Sequence, residues 1–227
     1  SATFEERVVR EILQATHGIA EEPSENNMNF STGHIEEDFS AYEGIIDDIT
    51  GAELRANLVK AAREEELKFL HAFPVYTKVP KEEAVGKNFV KVRWADVNTG
   101  GTDPGTEQVR SRLVAKEFRW TDPLMEGTFA PTPPSEAFRY LWHWLMTVRR
   151  RGGQRLELKA LVLDASRAHF HPKAVRETYI ELPAEDFTEG MVGRLDRTMY
   201  GTRDAAHQWD KLCGELISRL GFEVGSS

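Results

Sequence analysis

The sequence of 227 residues contains a single cysteine, Cys213. One cysteine excludes an internal disulfide framework and a cysteine-based zinc site, and it favours a reducing intracellular setting, cytoplasmic or nuclear. No apolar run approaches the roughly 18 residues that a membrane-spanning helix needs. The N-terminus also has no basic-then-apolar pattern of the kind that marks a signal peptide. These absences argue against secreted and membrane-embedded classes of protein.

Positive charge is scarce in the chain as a whole, whose formal net charge is −8. The deficit is concentrated at the start, because residues 1–70 hold 16 Asp/Glu against 6 Lys/Arg. Residues 76–120 are mildly basic, with nine Lys/Arg against six Asp/Glu. Composition alone is therefore weak support for a nucleic-acid partner, and any such contact is expected in the basic segment.

Hydrophobic periodicity predicts helices separated by short strands. Four helices are predicted, over 4–15, from Thr50-Gly51 to about Phe69, from Ser135 to about Arg150, and from Arg203 to Leu220. Six strands are predicted, over 75–79, 89–94, 108–118, 156–163, 178–182 and 191–199. The second and third strands, joined by a polar loop, indicate an antiparallel hairpin. A polar, acidic linker is expected over 21–39. The fold class predicted is α+β.

Five phrases of the sequence resemble the copia-type retrotransposon reverse transcriptases, in that family's order and at similar spacing. They are 109–116 (VRSRLVAK), like KARLVAKGF; 128–131 (TFAP), like ETFAPV; 163–171 (LDASRAHFH), like LDVKNAFLHG; 179–183 (YIELP), like YMEQP; and 199–209 (MYGTRDAAHQW), like LYGLKQAPRAW. The resemblance covers about 67–224.

This resemblance implies a piece of a Pol polyprotein: an RNA-directed DNA polymerase with an antiparallel fingers hairpin and a partial palm with packing helices. The implied domains are an acidic, partly disordered leader over 1–46, a lead-in helix over 47–75 and a truncated reverse-transcriptase domain over 76–227. Implied partners are an RNA template, a DNA primer and deoxynucleotides, with Mg²⁺ as cofactor in the intact parent. An incomplete palm also suggests self-association.

Asp164 is the candidate catalytic and metal-binding residue, because it stands in the phrase that resembles the polymerase's first catalytic motif. Magnesium prefers hard oxygen ligands, and an aspartate at a strand end supplies them. The alternative is a turn former or a helix N-cap. No tyrosine-X-Asp-Asp tetrapeptide, which carries the family's other two catalytic aspartates, occurs in the sequence. The isolated chain is therefore expected not to polymerise.

Five further residues are candidates for nucleotide or template binding by the same resemblance: Arg110, Arg112, Ala165, His169 and Asp204. Arg110 and Arg112 are two apart on a strand and so share a face, where guanidinium groups suit phosphate oxygens; the alternative is a solvated strand face. Ala165 and His169 follow Asp164 in its motif. The family usually has an aromatic residue at the position of His169, packed under the sugar ring, so histidine is a departure.

Asp204 is the second departure, since the family motif has a neutral glutamine there, close to template and nucleotide. A carboxylate would repel phosphates, so the residue is either repurposed or the N-cap of the last helix. Trp142, Trp144 and Trp209 are expected in the core. Lys91 and Lys116 are expected at the surface. A non-catalytic nucleic-acid-binding relic and a host-adopted interaction module remain the alternatives to a polymerase fragment.

Overall fold

The structure, a computed structural model, describes residues 38–103, 105–118, 128, 130, 133–147, 149–151, 154–156 and 164–223. The helices are α1 (Ala56–Ala72), α2 (Ser135–Met146) and α3 (Ala205–Arg219). The strands are β1 (Tyr76–Pro80), β2 (Asn88–Val90), β3 (Val92–Asn98), β4 (Val109–Ala115), β5 (Arg149–Arg151), β6 (Gln154–Leu156), β7 (Thr178–Ile180) and β8 (Met191–Leu195). The predicted helix over 4–15, most of the linker over 21–39 and almost all of the strand over 156–163 lie outside the described residues.

A four-stranded mixed sheet forms the centre of the fold, with the strand order β1-β8-β7-β2. β8 pairs antiparallel with β1 and with β7, whereas β2 joins β7 in parallel. β7 is buried along its length, and Tyr179 and Ile180 are both almost fully enclosed. Helices and short strands arranged in this way give the α+β class that the sequence predicts.

The predicted antiparallel hairpin is present as β3 and β4, paired from Val92 opposite Ala115 to Asn98 opposite Val109. The single strand predicted over 89–94, however, is two strands in two different sheets. The chain changes partners at Lys91, whose carbonyl accepts a hydrogen bond from the Lys116 N–H at 2.8 Å. Apolar alternation continues through this break, so the pattern alone does not reveal the change.

Helix α1 packs against the hairpin, and a buried ion pair joins them. The Arg63 guanidinium donates to both carboxylate oxygens of Asp96 on β3, at 3.3 and 2.7 Å, and to Glu185 at 2.9 Å. Asp96 also accepts a 2.6 Å hydrogen bond from the Ser111 hydroxyl on β4. The apolar stripe of α1 thus lies over the back of the hairpin, the side opposite its outward-facing side chains.

Helix α1 begins at Ala56, several residues later than predicted, because Asp47 organises the preceding segment as a turn. Its carboxylate accepts hydrogen bonds from the Ile49 N–H at 2.8 Å and from the Thr50 hydroxyl at 2.9 Å. A short antiparallel bridge between Ile46 and Glu53 closes this turn. Aspartate side chains commonly compete with a helix in this way.

Helix α2 departs most from the prediction. It begins at Ser135, but its N-cap is Pro134 and no side-chain cap hydrogen bond forms. The helix ends at Met146 and not near Arg150, and Arg149–Arg151 form β5, paired with β6. None of its residues is buried; Trp142 is 42% exposed, which corrects its assignment to the core. Trp144 and Trp209 are only partly buried.

One apolar core connects α1, the central sheet and the hairpin. Its innermost side chains are Leu70, Val75, Leu113, Phe170, Ile180 and Met199, all with no exposed surface. Phe170 and Met199 come from the segments that resemble polymerase motifs, so these segments are held against the hairpin by core packing. Among the described residues, no helix combines the length and the apolar character required to cross a membrane.

Candidate functional site

Strand β4 presents two arginines on its outward face. Ser111, Leu113 and Ala115 point into the protein and are buried, whereas Arg110 is exposed and Arg112 is half-buried. The two guanidinium groups therefore project from the same side of the hairpin, as the two-residue period of a strand requires. Lys91 is exposed and Lys116 is half-buried.

Tyr200 and His169 line up beside Arg112. The Arg112 guanidinium lies over the Tyr200 ring at 4.9 Å from its centroid, and the His169 ring lies 5.0 Å from the same ring. The Tyr200 carbonyl accepts a 2.7 Å hydrogen bond from the Ala115 N–H at the end of β4. A guanidinium that stacks on an aromatic face has fewer orientations available, so Tyr200 orients Arg112.

Gly201 permits this close approach of the two chains. Its φ is +82°, and a Cβ atom there would lie 2.0 Å from the Ala115 carbonyl oxygen and 2.6 Å from a methyl group of Val114. No side chain fits that space, and a positive φ is unfavourable for residues other than glycine. The glycine of the MYG phrase is thus required by the contact between residues 199–201 and β4.

The segment that contains Asp164 forms a tight turn. Asp164 is exposed and Ala165 is half-buried, and the turn ends in a short 3₁₀ helix, Ala168–Phe170. Arg167, at the centre of this turn, has a positive φ of +47°, which is rare for a residue other than glycine. Such a conformation costs about 1–2 kcal/mol, and the burial of Phe170 stabilises it. The exposed position of Asp164 means that its carboxylate carries no burial cost.

Arg167 reaches from this turn to a buried carboxylate on α1. Its Nε lies 3.5 Å from Oε2 of Glu66, and its guanidinium carbon lies 3.1 Å from the centre of the Phe69 ring. The Glu66 side chain is only 5% exposed, and its Oε1 atom has no hydrogen-bond partner. Burial raises the pKa of Glu66, and the nearby positive charges of Arg167, Arg112 and Arg110 offset this only in part.

His169 is packed as a neutral imidazole. Burial, reinforced by the positive charge of Arg112, lowers the pKa of His169 below its usual value. Its Nδ1 atom is buried without a hydrogen-bond partner. The neutral ring is tilted by 50° against the Tyr200 ring, with 5.0 Å between the two ring centroids. Neither His169 nor His171 belongs to a metal-binding cluster among the described residues.

Asp204 lies in an ion-pair network with Arg176 and Glu117. Arg176 donates to Asp204 at 2.8 and 3.1 Å and to Glu117 at 2.7 and 2.9 Å. Asp204 occupies the N-cap position of α3, but its side chain makes no cap hydrogen bond. Arg176 supplies one positive charge to two carboxylates, so these three side chains together keep a formal charge of −1. The repulsion of phosphates by Asp204 stays a prediction.

The described residues do not contain a metal centre. No group of three or more His, Cys, Asp or Glu side chains converges in the described ranges. Asp164 therefore offers a single carboxylate, whereas a two-magnesium site requires several shared oxygen ligands. The described residues thus do not fit the Mg²⁺ that the resemblance implies.

The structure brings together Arg110, Arg112 and His169 from the predicted set, and it places Asp204 in a separate network. Glu66, Arg167, Tyr200 and Arg176 were not predicted as site residues. Glu66 could have been found, because it interrupts the apolar stripe of α1 that contains Val59, Ala62 and Leu70. Arg176 had no such signal, since its partners are 28 and 59 residues away in the chain.

No protein-family model matches the chain, and neither the curated proteins nor the solved structures contain a match. The described feature with the clearest chemical character is the face formed by Arg110, Arg112, Arg167, His169 and Tyr200, which we call the arginine face.

Proposed function

We propose that this chain is the fingers and the first part of the palm of a copia-type reverse transcriptase, part of a Pol polyprotein. In the intact parent it would act with Mg²⁺ as an RNA-directed DNA polymerase, a nucleotidyltransferase that takes deoxynucleotides, an RNA template and a DNA primer. The role we assign to the described residues is binding: the arginine face contacts the phosphates of the nucleic acid or of the incoming nucleotide.

The observation that carries the proposal is the contact between segments far apart in the sequence that each resemble a polymerase motif. Arg112 of the first segment stacks on Tyr200 of the last, and Tyr200 contacts His169 of the middle one. Unrelated sequence matches would have no reason to meet at one place. Their convergence beside two outward-facing arginines supports a common site.

The chemistry of the arginine face suits a polyanion. Arg110 is exposed to solvent, and the Arg112 guanidinium stacks on the Tyr200 ring. Guanidinium groups bind phosphate oxygens with two parallel hydrogen bonds and remain charged at all accessible pH values. Catalysis is not assigned to the described residues, because they offer no cluster of carboxylates for magnesium.

A second candidate is a non-catalytic nucleic-acid-binding relic, or an interaction module adopted by a host. Two observations favour this candidate. The described residues include the arginine face but no metal-binding cluster, and Asp204 accepts hydrogen bonds from Arg176. The genomic sequence beyond Ser227 separates the candidates. A reading frame that continues into a tyrosine-X-Asp-Asp hairpin favours the polymerase, and a stop codon favours the relic.

Binding to a labelled RNA–DNA hybrid, measured by fluorescence anisotropy over a range of salt concentrations, tests the proposal. Each phosphate contact contributes about 0.9 to the slope of log affinity against log salt. The double variant Arg110→Ala/Arg112→Ala should therefore lose up to about 2 from the slope and bind more weakly. The control Arg194→Ala removes an arginine from β8, whose side chain is 42% exposed, and should change little.

Two results would remove the binding role: no affinity for the hybrid at low salt, or equal losses in the double variant and the control. Primer extension with Mg²⁺ examines the expectation that the chain alone does not polymerise. Extension above background that disappears in Asp164→Ala would contradict that expectation and return catalysis to this chain.

A further inference from the structure

Glu66 is a buried carboxylate beside Arg167 of the arginine face. It lies on the apolar side of α1 and is 4% exposed, between residues that form the core. One oxygen approaches Arg167 at 3.5 Å and the other has no partner. Buried carboxylates are normally fully hydrogen-bonded, so a half-satisfied one at this place requires an explanation.

The charges around Glu66 come from every element packed against it, and most are positive. These groups are Glu65 from α1, Arg110 and Arg112 from β4, Arg167 and His169 from the turn, and Tyr200 from the segment after β8. Glu65 is 66% exposed and His169 is uncharged at neutral pH. Glu66 is thus the internal counter-charge of three arginines.

We propose that Glu66 is an internal anion which competes with phosphate for the arginine face, so that binding of a phosphate-bearing ligand is coupled to the uptake of one proton by Glu66 from solvent. The proposal rests on the proposed function in taking Arg110 and Arg112 as phosphate ligands. It adds a regulatory property, a dependence of affinity on pH, that the arginines by themselves would not have.

The sign follows from the charges. An anion that engages Arg110 and Arg112 withdraws the positive potential that stabilises ionised Glu66 and adds negative potential of its own. Both effects favour the protonated acid, so the pKa of Glu66 rises further when the ligand binds. By linkage, ligand affinity increases as the pH falls through the range in which Glu66 titrates.

Isothermal titration calorimetry with inorganic tripolyphosphate provides the test, in two phosphate-free buffers that differ in ionisation enthalpy. At pH values above the ordinary range of a glutamate, where the raised pKa of Glu66 places its titration, wild-type protein should take up as much as one proton per ligand. Glu66→Gln should show no such uptake and should bind about five- to tenfold more tightly at pH 8, since one like charge has been removed from the site. Glu65→Gln is the matched control and should retain the uptake, with its affinity changed less than about twofold.

A measurement on wild-type protein alone covers the case in which Glu66→Gln does not fold. The carboxyl carbon resonance of Glu66 should titrate at higher pH when tripolyphosphate is present. Absence of tripolyphosphate binding, binding without proton uptake, or a Glu66 titration that the ligand leaves unchanged would each overturn the inference. If the protein binds the RNA–DNA hybrid but takes up no proton, only this inference fails. If tripolyphosphate binds with proton uptake but the hybrid does not bind, only the proposed nucleic-acid role fails.

Discussion

Arg176 pairs with two buried carboxylates at once, and its removal is the sharpest test of the described packing. Its guanidinium makes paired hydrogen bonds with Glu117 and with Asp204, whose side chains are 5% and 7% exposed. Arg176 itself comes from the loop before β7, so the network ties that loop to the end of β4 and to the start of α3. The variant Arg176→Ala would leave both acids in place without their cation.

The magnitude follows from the burial of the two acids. Removing one partner of a buried ion pair costs about 3–5 kcal/mol, because an uncompensated charge remains inside the protein. Small domains have a free energy of unfolding of about 5–15 kcal/mol, so the loss is a large fraction of the total. The Arg203 N–H and the Asn88 side-chain amide still donate to Glu117, at 2.9 and 3.2 Å, which limits the loss to this range.

Urea denaturation followed by tryptophan fluorescence at several pH values measures the effect. Burial by itself would raise the pKa of Glu117, but the hydrogen bonds from Arg176 and the Arg203 N–H outweigh it and hold the pKa below the ordinary value of 4.5. A carboxyl with a lowered folded-state pKa contributes stability above its unfolded value, and this contribution disappears as the pH falls through the folded value. The difference between wild type and Arg176→Ala should therefore be largest near neutral pH and shrink below pH 4.5.

Arg194→Ala is the control, because Arg194 is 42% exposed and lies 3.6 Å from a partly exposed Asp196. An exposed pair of this kind contributes about 0–1 kcal/mol. If Arg176→Ala is destabilised no more than this control at pH 7, the Arg176 network does not stabilise the fold as the geometry indicates.

Two further substitutions test the packing that holds the motif segments. Gly201→Ala should lower the free energy of unfolding by about 3 kcal/mol or more, because its Cβ would overlap the Ala115 carbonyl. Gly190 has a similar φ of +73° but open space around it, so Gly190→Ala should lower the free energy of unfolding by only about 1 kcal/mol. Thermal unfolding that ranks the two glycine variants equally would contradict the close approach. Phe170→Ala should lower the free energy of unfolding by about 3–5 kcal/mol, because the Phe170 ring has no exposed surface. Phe187 is 65% exposed, so the stability of Phe187→Ala should stay within about 0.5 kcal/mol of wild type. Equal urea midpoints for these two would place Phe170 outside the core.

The sequence predicts those features that depend on local periodicity. Alternation at residues 108–118 indicates a strand with Arg110 and Arg112 on one face, and β4 has that arrangement. The helical spacing before Gly221 indicates α3, which ends at Arg219. Both predictions succeed because the side-chain direction at each position follows from the backbone period. The hairpin is predicted for the same reason.

Local patterns fail where a neighbouring element decides the outcome. The alternation of residues 89–94 is continuous, yet the chain changes sheets at Lys91 because two different strands lie beside it. The amphipathic spacing of α2 predicts a buried face, but Trp142 is exposed. The helix start predicted at Thr50 fails because the Asp47 carboxylate captures the nearby N–H and hydroxyl groups.

The sequence by itself determined the α+β class, the hairpin and the shared face of Arg110 and Arg112. Only the tertiary structure decided that Arg112 meets Tyr200, that Glu66 lies beside Arg167 and that Asp204 pairs with Arg176. These contacts join residues tens of positions apart, and no periodicity encodes which distant charge will be nearest once the core has formed. The chemistry of the site depends on those distances, because electrostatic interactions are set by separation and burial in the folded chain.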